Sequence, residues 1–357
     1  MRIAVLGVGL IGGSIGRAAK ERIAGAEVVG FGRSAERLEA AREMGAIDRV
    51  AGSFEDALDG AEVCFACAPV GALQEQVGAA LAAAGPDCVV TDVGSTKRRL
   101  VEAVDDQRFV GGHPIAGAET SGAEHSRADL FDGALWYLTP TERTSGLLYQ
   151  RLHRLVAALG ARPVAVDPET HDGLVGVFSH LPHVLANELV VRAAERLASH
   201  GEALRQVGPS FRDATRVAGA NSAIWTDIYL ANRDAIASEV RGVARALDAA
   251  ADMLEAGDPA AVESWNEAAR EARRTLLEAD LAGGHVHELR LTVPNRPGLV
   301  AQVALELGRA GVNILDMTLA PAADMRSGAM SLWIAGDDQA DRATALIDDL
   351  GFPVARG

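Results

Sequence analysis

The chain has 357 residues, of which 48% are hydrophobic and 4% aromatic, and its formal net charge at pH 7 is −15. This length and composition predict a soluble globular protein with two or three domains. The negative charge argues against binding to nucleic acid or to an anionic membrane. No apolar run approaches the roughly 20 residues of a membrane span, and Arg2 enters a strand pattern without a leader signal. We therefore expect a cytoplasmic protein.

The N-terminal sequence MRIAVLGVGLIGGSIGRAAKE reads as an apolar strand, a glycine turn and a helix. Its glycines form the G-x-G-x-x-G pattern of a dinucleotide site, with Gly7 for the tight turn, Gly9 for close approach to a pyrophosphate and Gly12 for helix packing. The start of the helix, at Leu10 and Ile11, supplies N–H groups and the positive end of the helix dipole. The alternative is a structural turn without a ligand.

The end of the second strand, AEVVGFGRS, indicates which cofactor binds. An Asp or Glu there would accept a hydrogen bond from the ribose 2′-hydroxyl of NAD, but Gly32, Arg33 and Ser34 occupy the position. A cation with a hydroxyl suits a 2′-phosphate, which favours NADP. Alternatively Arg33 is solvated and the rest of the cleft holds NAD, so the sequence predicts NAD or NADP.

Further strand-like runs at 63–67 and 88–92 alternate with helical segments, which predicts an α/β fold with a parallel, doubly wound sheet of the Rossmann type. Such sheets bind ligands at the carboxyl ends of their strands. The residues expected to line the cofactor crevice are Ala68, Pro69, Val70, Gly94, Ser95 and Thr96. Ser95 is either a helix cap or a substrate contact, and GSTK lacks the residue order of an ATP-binding loop.

The next strand leads into GGHPIAGAETSGAE, which predicts a glycine-rich loop containing His113. Pro114 biases His113 towards an extended conformation, and the glycines allow backbone to approach a ligand closely. An imidazole with an ordinary pKa near 6.5 suits a general base at neutral pH. The alternative is a surface turn with a solvated histidine.

From about Asp167 the sequence becomes helical and rich in alanine. Ser179, His183 and Asn187 are spaced i, i+4 and i+8, which predicts a polar stripe that faces a wet site or a partner. His171, His180 and His183 suggest a metal site, but they lack the companion carboxylates or cysteines of a recognised metal set, so we expect no metal.

Two arginines follow in the sequence FRDATRVA. Arg212 and Arg216 lie one helical turn apart with Asp213 between them. In an acidic chain, paired arginines are either part of salt-bridged structure or an anion clamp. The residues alone leave both interpretations open.

Two long amphipathic helices complete this region. Gly257 ends the first, and Asp258 caps the second, which has Pro259 at its first position. Their apolar positions are Ile236, Val240, Val243, Leu247 and Leu254, and then Val262, Trp265, Ala269, Ala272 and Leu276. This apolar surface either covers the core of the same domain or predicts a dimer interface.

Gly283 and Gly284 interrupt the helical pattern, and a strand–helix–strand–strand–helix–strand order begins at His287. Such a βαββαβ module predicts a ligand-sensing or association unit rather than the site of the chemistry. Pro297 and Gly298 shape the turn into its first helix, whose N–H groups can receive a carboxylate. The amide of Asn313 can contribute to the same site.

Taken together, the motifs resemble those of the TyrA family of prephenate dehydrogenases with a C-terminal ACT domain. They are GVGLIGGSIG, TDVGSTK, GGHPIAGAETSG, SHLPH, FRDATRVA with WTDIYLAN, and PNRPGLVAQVALELGRAGVNI, and they span nearly the whole chain. The resemblance implies a dinucleotide-binding domain at 1–166, a helical substrate and dimerisation domain at 167–282, and a ferredoxin-like ACT domain at 286–357. It also implies nicotinamide-dependent oxidative decarboxylation of prephenate, or of arogenate, a homodimer, and feedback inhibition by tyrosine.

By position, the resemblance implies that His113 bonds the ring hydroxyl of the substrate, with Ser95 beside it near the nicotinamide, and that Arg216 holds the ring carboxylate. The other implied substrate contacts are Ser179 and His183 in the side-chain pocket, Arg212 beside them, and Glu119 and Asp213 as charged gatekeepers. The ACT domain would bind its effector at Pro297, Gly298 and Asn313.

Two other functions fit parts of the sequence. A β-hydroxyacid dehydrogenase also joins a dinucleotide domain to a helical one, but it usually employs a catalytic lysine in the helical domain, and residues 167–281 contain none. A nucleotide-sensing regulator needs no proton acceptor. The convergence of five candidate site residues therefore argues against it, namely His113, Ser95, Ser179, His183 and Arg216.

Overall fold

The computed structural model describes residues 1–117, 120, 122–200, 208–278, 286–294, 296–321 and 327–356. The chain forms two compact units. One comprises Met1–Asp172 together with His285–Gly357, and the other comprises Gly173–Gly284. Both sheets of the described chain belong to the first unit, whereas the described residues of the second form helices and their connections.

Eight strands form the larger sheet, in the order β3-β2-β1-β4-β5-β6-β7-β8. They are β1 (Arg2–Leu6), β2 (Glu27–Phe31), β3 (Arg49–Val50), β4 (Val63–Ala66), β5 (Val89–Asp92), β6 (Phe109–Pro114), β7 (Leu135–Thr139) and β8 (Arg162–Ala165). Strands β1 to β6 are parallel, as predicted, but β7 runs antiparallel to β6. A parallel neighbour needs a crossover, usually a helix, and the described residues between β6 and β7 contain just a short 3₁₀ turn, Ala123–His125.

Helices cover both faces of this sheet, as a doubly wound fold requires. They are α1 (Leu10–Arg22), α2 (Ala35–Glu43), α3 (Phe54–Leu58), α4 (Val70–Ala83), α5 (Arg98–Ala103), α6 (Gly146–Ala158) and α7 (Pro168–Val175). Alternate residues of β1 point to opposite faces: Val5 joins the cluster that contains Ile15 of α1, and Leu6 joins the cluster that contains Leu73 of α4. Both faces are therefore buried, and the strand ends that carry the site are held from two sides.

The second unit continues as α8 (Leu181–His200), α9 (Pro209–Thr215), α10 (Ser222–Ala231), α11 (Arg233–Ala256) and α12 (Pro259–Glu278). Gly257 adopts the left-handed conformation (φ +66°) and ends α11. The carboxylate of Asp258 accepts the N–H of Ala260 at 3.0 Å, immediately before α12 begins. Both helix boundaries therefore fall where the sequence predicts them.

These helices leave large apolar side chains exposed. Leu247 and Leu254 of α11 and Trp265 and Leu276 of α12 are each more than half exposed. One helical stretch in the described residues, Pro168–Ala198, is long and apolar enough to cross a membrane by length and composition, and 28% of its most apolar window is buried. The sequence analysis predicted no such stretch. It looked for a continuous apolar run, and polar residues such as His171 and Asp172 interrupt this one. Exposed apolar surface of this kind indicates a partner.

The C-terminal module has the predicted βαββαβ order. Its elements are β9 (Val286–Pro294), α13 (Leu299–Arg309), β10 (Ile314–Pro321), β11 (Ser327–Ala335), α14 (Asp337–Asp349) and β12 (Val354–Arg356). The four strands pair antiparallel in the order β10-β11-β9-β12. Leu307 of α13 and Leu332 of β11 belong to the same apolar cluster as Val5 of β1, so the module shares a core with the dinucleotide fold.

The module docks through α13 and β10, which contact α6 and β8. Gly308 of α13 lies so close to the carbonyl oxygen of Ala165 that a Cβ atom there would come within 1.9 Å of it. The side chain of Gln150 donates to the carbonyl oxygen of Met317 at 3.1 Å. The docking is therefore specific, since it uses backbone-to-backbone contact and a buried hydrogen bond.

Candidate active site

The glycine turn has the geometry of a dinucleotide cradle. Gly7 has a φ of +105°, which residues with a Cβ rarely adopt. A Cβ on Gly12 would lie 2.2 Å from the carbonyl oxygen of Gly7, whereas the space around Gly9 is open to 4 Å. No side chain caps α1, so the first-turn N–H groups, including Leu10 and Ile11, are available to an anion. These residues fit a dinucleotide pyrophosphate.

The other predicted cofactor contacts follow the neighbouring strand ends. Pro69 is the N-cap of α4, so Ala68, Pro69 and Val70 connect β4 to that helix. A Cβ on Gly7 would lie 3.1 Å from the carbonyl oxygen of Cys67, which shows that this connection adjoins the glycine turn. The structure thus brings two parts of the predicted crevice together.

The connection after β2 carries the residues predicted to select the cofactor. The Ser34 Oγ atom accepts the N–H of Arg37 at 3.3 Å and so caps α2. The side chains of Arg33 and Arg37 are both exposed. The prediction assigned no capping role to Ser34 and did not name Arg37, which adds a second cation at this position.

A buried ion pair lies where β5 and β6 adjoin. The Nζ atom of Lys97 contacts a carboxylate oxygen of Asp92 and donates to the carbonyl oxygen of Gly112 at 2.8 Å. Asp92 also accepts the N–H groups of Gly94 at 2.8 Å and Gly112 at 3.0 Å. Burial lowers the pKa of Lys97, and the charge of Asp92 opposes this effect. Removing one member of a buried pair typically costs about 3–5 kcal/mol, so the pair fixes these strand ends.

His113 lies in a strand, which corrects the predicted loop. It pairs with Tyr137 of β7, and Pro114 ends β6 opposite Trp136. A Cβ on Gly112 would lie 2.6 Å from the carbonyl oxygen of Asp92, so this glycine serves sheet packing rather than approach to a ligand. The prediction failed because the pairing partner, β7, lies further along the sequence.

His113, His171 and Asp172 form a chain of hydrogen bonds. The Nδ1 atom of half-buried His113 lies 2.9 Å from Nε2 of His171, whose Nδ1 lies 2.8 Å from Oδ1 of Asp172. His171 is buried, and its ring packs edge-on against Tyr137 with ring centroids 5.5 Å apart. Burial lowers the pKa of His171 below its ordinary value. The sequence analysis considered His171 only as a metal ligand and rejected that role. It did not predict the hydrogen bonds of His171 with His113 and Asp172.

Asp172 also caps α5. Its Oδ1 accepts the N–H of Lys97 at 2.7 Å, and its Oδ2 accepts the N–H of Arg98 at 3.1 Å. The N-cap residue of α5 is Lys97 rather than Ser95. The interpretation of Ser95 as a helix cap is therefore wrong, and its role as a substrate contact stays a prediction.

In the helical unit, the predicted polar stripe faces aromatic side chains. The ring of His183 stacks on Trp225 with centroids 3.4 Å apart and an interplanar angle of 26°. The Nδ2 atom of Asn187 donates to the hydroxyl of Tyr229 at 3.4 Å. Ser179 is exposed. The polar residues of the stripe therefore contact the aromatic side chains of Trp225 and Tyr229.

The predicted spacing of this stripe is changed by a π-helical turn at Gly176–His180. The N–H of Leu181 bonds to the carbonyl oxygen of Gly176, five residues earlier. Pro182 follows and has no N–H to continue the regular pattern, which explains the wider turn. Because Ser179 lies within this turn, the regular α-helical spacing predicted between Ser179 and His183 does not hold there.

The paired arginines lie at the end of α9 and the start of a 3₁₀ turn, Arg216–Gly219. Arg212, Asp213 and Arg216 are exposed. Burial and, secondarily, the charge of Arg216 lower the pKa of His183. Arg216 therefore lies near enough to His183 to influence it, and the choice between an anion clamp and a structural role stays a prediction. Glu119 lies outside the described residues.

The predicted effector residues lie at opposite ends of α13. Gly298 precedes this 11-residue helix and Asn313 follows it, so about 16 Å of helix separates them within one chain. Gly298 has a φ of +81°, and a Cβ there would lie 2.4 Å from the carbonyl oxygen of Glu142. The turn at Pro297 and Gly298 therefore packs against the dinucleotide fold. Oδ1 of Asn313 is buried without a hydrogen-bond partner among the described residues.

A dinucleotide cradle and an imidazole at the carboxyl ends of one sheet define the class of nicotinamide-dependent dehydrogenases. Residues 15–165 match the family described as prephenate dehydrogenase, nucleotide-binding domain. Residues 167–268 match the family described as prephenate dehydrogenase, dimerization domain. The chain belongs to the prephenate dehydrogenase family, and it is an oxidoreductase.

Similar proteins agree with this assignment. The prephenate dehydrogenase of Bacillus subtilis (strain 168) is 31% identical over 358 residues, which cover 97% of this chain and 95% of the relative. A crystal structure of prephenate dehydrogenase from A. aeolicus with hydroxyphenyl propionate and NAD+ is 29% identical with a TM-score of 0.71, covering 78% of this chain and 98% of that one. The structure of Synechocystis arogenate dehydrogenase is 27% identical with a TM-score of 0.64, covering 78% and 99%.

Proposed function

We propose that the protein catalyses the oxidative decarboxylation of prephenate to 4-hydroxyphenylpyruvate, in tyrosine biosynthesis. The observation that carries this proposal is His113, an imidazole at the end of β6 whose Nδ1 atom is held by the buried ring of His171. It lies at the same sheet edge as the glycine turn of Gly7 and Gly9. A dehydrogenase of this family needs a proton acceptor at that edge.

Prephenate has a secondary alcohol para to a quaternary carbon that bears a carboxylate. The bound nicotinamide supplies the acceptor for the hydride of carbon 4. As this hydride leaves, Nε2 of His113 takes the hydroxyl proton, and the alcohol becomes a carbonyl. The bond to the carboxylate then breaks, CO₂ leaves, and the bonding electron pair enters the ring. The carbonyl oxygen gains a proton to become a phenol, and formation of the aromatic ring makes the reaction effectively irreversible.

We assign the remaining residues to binding. Arg216 holds the ring carboxylate, and its exposed position together with its electrostatic effect on His183 supports this role. Ser95 bonds the substrate hydroxyl near the nicotinamide. The side-chain pocket is assigned to Ser179 and His183, and the charged entrance to Glu119, Arg212 and Asp213.

Turnover assays test this proposal. The protein is incubated with prephenate, arogenate or a 3-hydroxyacid, each with NAD or NADP, and reduced nicotinamide is followed by absorbance together with released CO₂. We expect reduction of the cofactor with prephenate and one CO₂ per hydride transferred. Turnover of the 3-hydroxyacid alone, or binding of cofactor without any turnover, would reject the proposal.

Arogenate is the second candidate substrate. The likeness to Synechocystis arogenate dehydrogenase supports it, since arogenate differs from prephenate by an amino group in place of the side-chain keto group. Ser179 and His183 would face this difference. The ratio of kcat/KM for the two substrates in the same assay decides between them.

For the cofactor, we propose a nicotinamide dinucleotide with a preference for NADP. The exposed cations Arg33 and Arg37, with no acid at the end of β2, support binding of a 2′-phosphate. NAD is the alternative, supported by the NAD+ in the A. aeolicus structure.

We propose that the protein is a cytoplasmic homodimer that associates through its helical unit. The exposed apolar side chains of α11 and α12 support this assembly, as does the match to a dimerization domain. The apolar stretch Pro168–Ala198 contains the buried polar residues His171, Asp172 and His180. A helix that buries charged and polar groups within a fold fits a protein interface better than a membrane.

We propose further that the C-terminal module is an ACT domain that binds tyrosine and inhibits the enzyme. The βαββαβ order and the buried, unpartnered Oδ1 of Asn313 support this role. A purely associative module is the alternative. Calorimetry with tyrosine on the full-length protein and on Asn313→Ala tests it, and equal tyrosine binding by both proteins would reject this site.

A further inference from the structure

We infer that His171 and Asp172 are positioning residues that hold His113 in the tautomer with an unprotonated Nε2, ready to accept the hydroxyl proton of the substrate. This inference rests on the proposed function, because it gives the reason why His113 can act as a base. It starts from two hydrogen bonds, His113 Nδ1 to His171 Nε2 at 2.9 Å and His171 Nδ1 to Asp172 Oδ1 at 2.8 Å.

Asp172 determines which atom is the donor in each of these hydrogen bonds. An ionised carboxylate has acceptors and no donors. Asp172 accepts the backbone N–H groups of Lys97 and Arg98, one with each of its carboxylate oxygens, so it acts as an acceptor throughout this site. The Nδ1 atom of His171 must therefore carry a proton and donate it to Asp172.

The tautomer of His171 then determines the tautomer of His113. Burial lowers the pKa of this imidazole, so that it is neutral near pH 7. A neutral imidazole with a proton on Nδ1 has an acceptor at Nε2. Since Nε2 of His171 lies 2.9 Å from Nδ1 of His113, His113 must donate through Nδ1. Its own Nε2 then carries no proton, as a base requires.

The surroundings of His171 reinforce this arrangement. Tyr137 of β7 packs edge-on against its ring, with ring centroids 5.5 Å apart. His171 and Asp172 are buried, and Asp167 caps the helix that carries them by accepting the N–H of Thr170 at 2.9 Å. These contacts hold the hydrogen-bonded side chains in place, which lowers the reorganisation that proton transfer would need.

When His113 accepts the hydroxyl proton, it becomes an imidazolium that still donates through Nδ1 to His171. The negative charge of Asp172 stabilises this cation through the neutral ring between them. No further proton has to leave the site during the step. This division of roles follows the principle known from serine proteases, where a buried aspartate fixes the tautomer of the catalytic histidine.

Nuclear magnetic resonance tests the tautomer directly and without substrate. The protein is labelled with ¹⁵N in the imidazole rings of its nine histidines, and His113→Asn identifies the signals of His113 by their loss. We expect long-range ¹H–¹⁵N correlations of a protonated Nδ1 and an unprotonated Nε2 for His113. A protonated Nε2 in the neutral wild-type protein would overturn the inference, whatever substrate the enzyme proves to use.

Two variants, Asp172→Asn and His171→Gln, test the role in turnover. We expect kcat to fall by at least about 10-fold and by up to about 10⁴-fold, the loss that follows replacement of a tautomer-fixing aspartate, with the KM for prephenate and the Kd for the cofactor within about twofold. The acid limb of the kcat profile should also move to lower pH, because the charge that stabilises the imidazolium is lost. A normal kcat per folded molecule with an unmoved acid limb would reduce His171 and Asp172 to structural residues.

His153→Gln is the matched control. His153 is a buried histidine of α6 whose ring contacts Tyr149 and which belongs to none of these hydrogen bonds. Its replacement should change stability without moving the acid limb of kcat. If this variant moved the limb as far as Asp172→Asn does, the effect would not be specific to the chain of hydrogen bonds, and the inference would fail.

Discussion

Single buried polar residues show best how the first unit is held together. His153 is a clear example, since it is buried on α6, the helix that contacts β10 of the C-terminal module. Burial lowers its pKa to about 4, against a smaller opposing effect of Asp316. The neutral ring is therefore part of the folded structure, and an unfolded chain would bind its proton more readily.

This difference predicts a pH dependence of stability. The stabilisation from neutral His153 is complete above its unfolded pKa of about 6.5 and is lost as the pH falls towards 4. Each pH unit between the two pKa values is worth about 1.4 kcal/mol, so the free energy of unfolding should fall by on the order of 3 kcal/mol. Urea denaturation between pH 7 and pH 4, on wild type and His153→Gln, measures it. An equally steep fall in the variant would assign the effect elsewhere.

Arg33 provides a second test at the scale of one residue. If its guanidinium pairs with a 2′-phosphate, Arg33→Ala should raise the Kd for NADP by about 10-fold or more and leave the Kd for NAD nearly unchanged. Fluorescence titration of both cofactors measures this. Arg127→Ala, which removes another exposed arginine, serves as the control. Equal losses for the two cofactors in Arg33→Ala would remove the reason to prefer NADP.

At the scale of elements, the docking of α13 on β8 joins the C-terminal module to the dinucleotide fold, although more than 100 residues separate these two elements in the sequence. Leu299, Val300, Val303 and Leu307 of α13 are buried. Deleting the C-terminal module would expose this docking surface on the dinucleotide fold as well. Truncation is therefore a poor test of regulation, because loss of the shared core would lower stability whether or not an effector binds.

Gly308→Ala tests the docking with a single methyl group. The added Cβ would lie within 1.9 Å of the Ala165 carbonyl oxygen, so helix and strand must separate. We expect a loss of about 1–3 kcal/mol in the free energy of unfolding. Gly78→Ala in α4, where no atom lies within 4 Å of the new Cβ, is the control and should be neutral or stabilising by about 1 kcal/mol or less. A Gly308→Ala protein as stable as this control would contradict the docking.

Elements with local signals could be predicted from the sequence. The glycine turn of Gly7, the helix boundary at Gly257 and Asp258, and the βαββαβ order each depend on residues close together in the chain. The strand position of His113 and its contact with His171 could not be predicted in this way. They depend on the pairing of β6 with β7 and on contacts across 58 residues, for which a single sequence carries no local pattern.

At the scale of the whole molecule, the exposed apolar faces of the helical unit require a partner. We predict a homodimer at micromolar concentration, measured by light scattering. Trp265→Glu in α12 and Leu254→Glu in α11 should shift the mass towards the monomer, since both side chains are more than half exposed in the single chain. Leu147→Glu, at an equally exposed position of α6 in the other unit, should leave the dimer intact. A monomeric wild-type protein would refute this assembly.

The central claim is that His113 is the base of a prephenate dehydrogenase, and turnover of prephenate by His113→Asn tests it most directly. Reduced nicotinamide is followed by absorbance at saturating cofactor, and cofactor binding is measured separately. We predict that cofactor affinity stays within about twofold, because His113 lies apart from the glycine turn, while kcat falls by roughly 10²–10⁴. A variant that turns prephenate over within a few-fold of the wild-type rate would contradict the account.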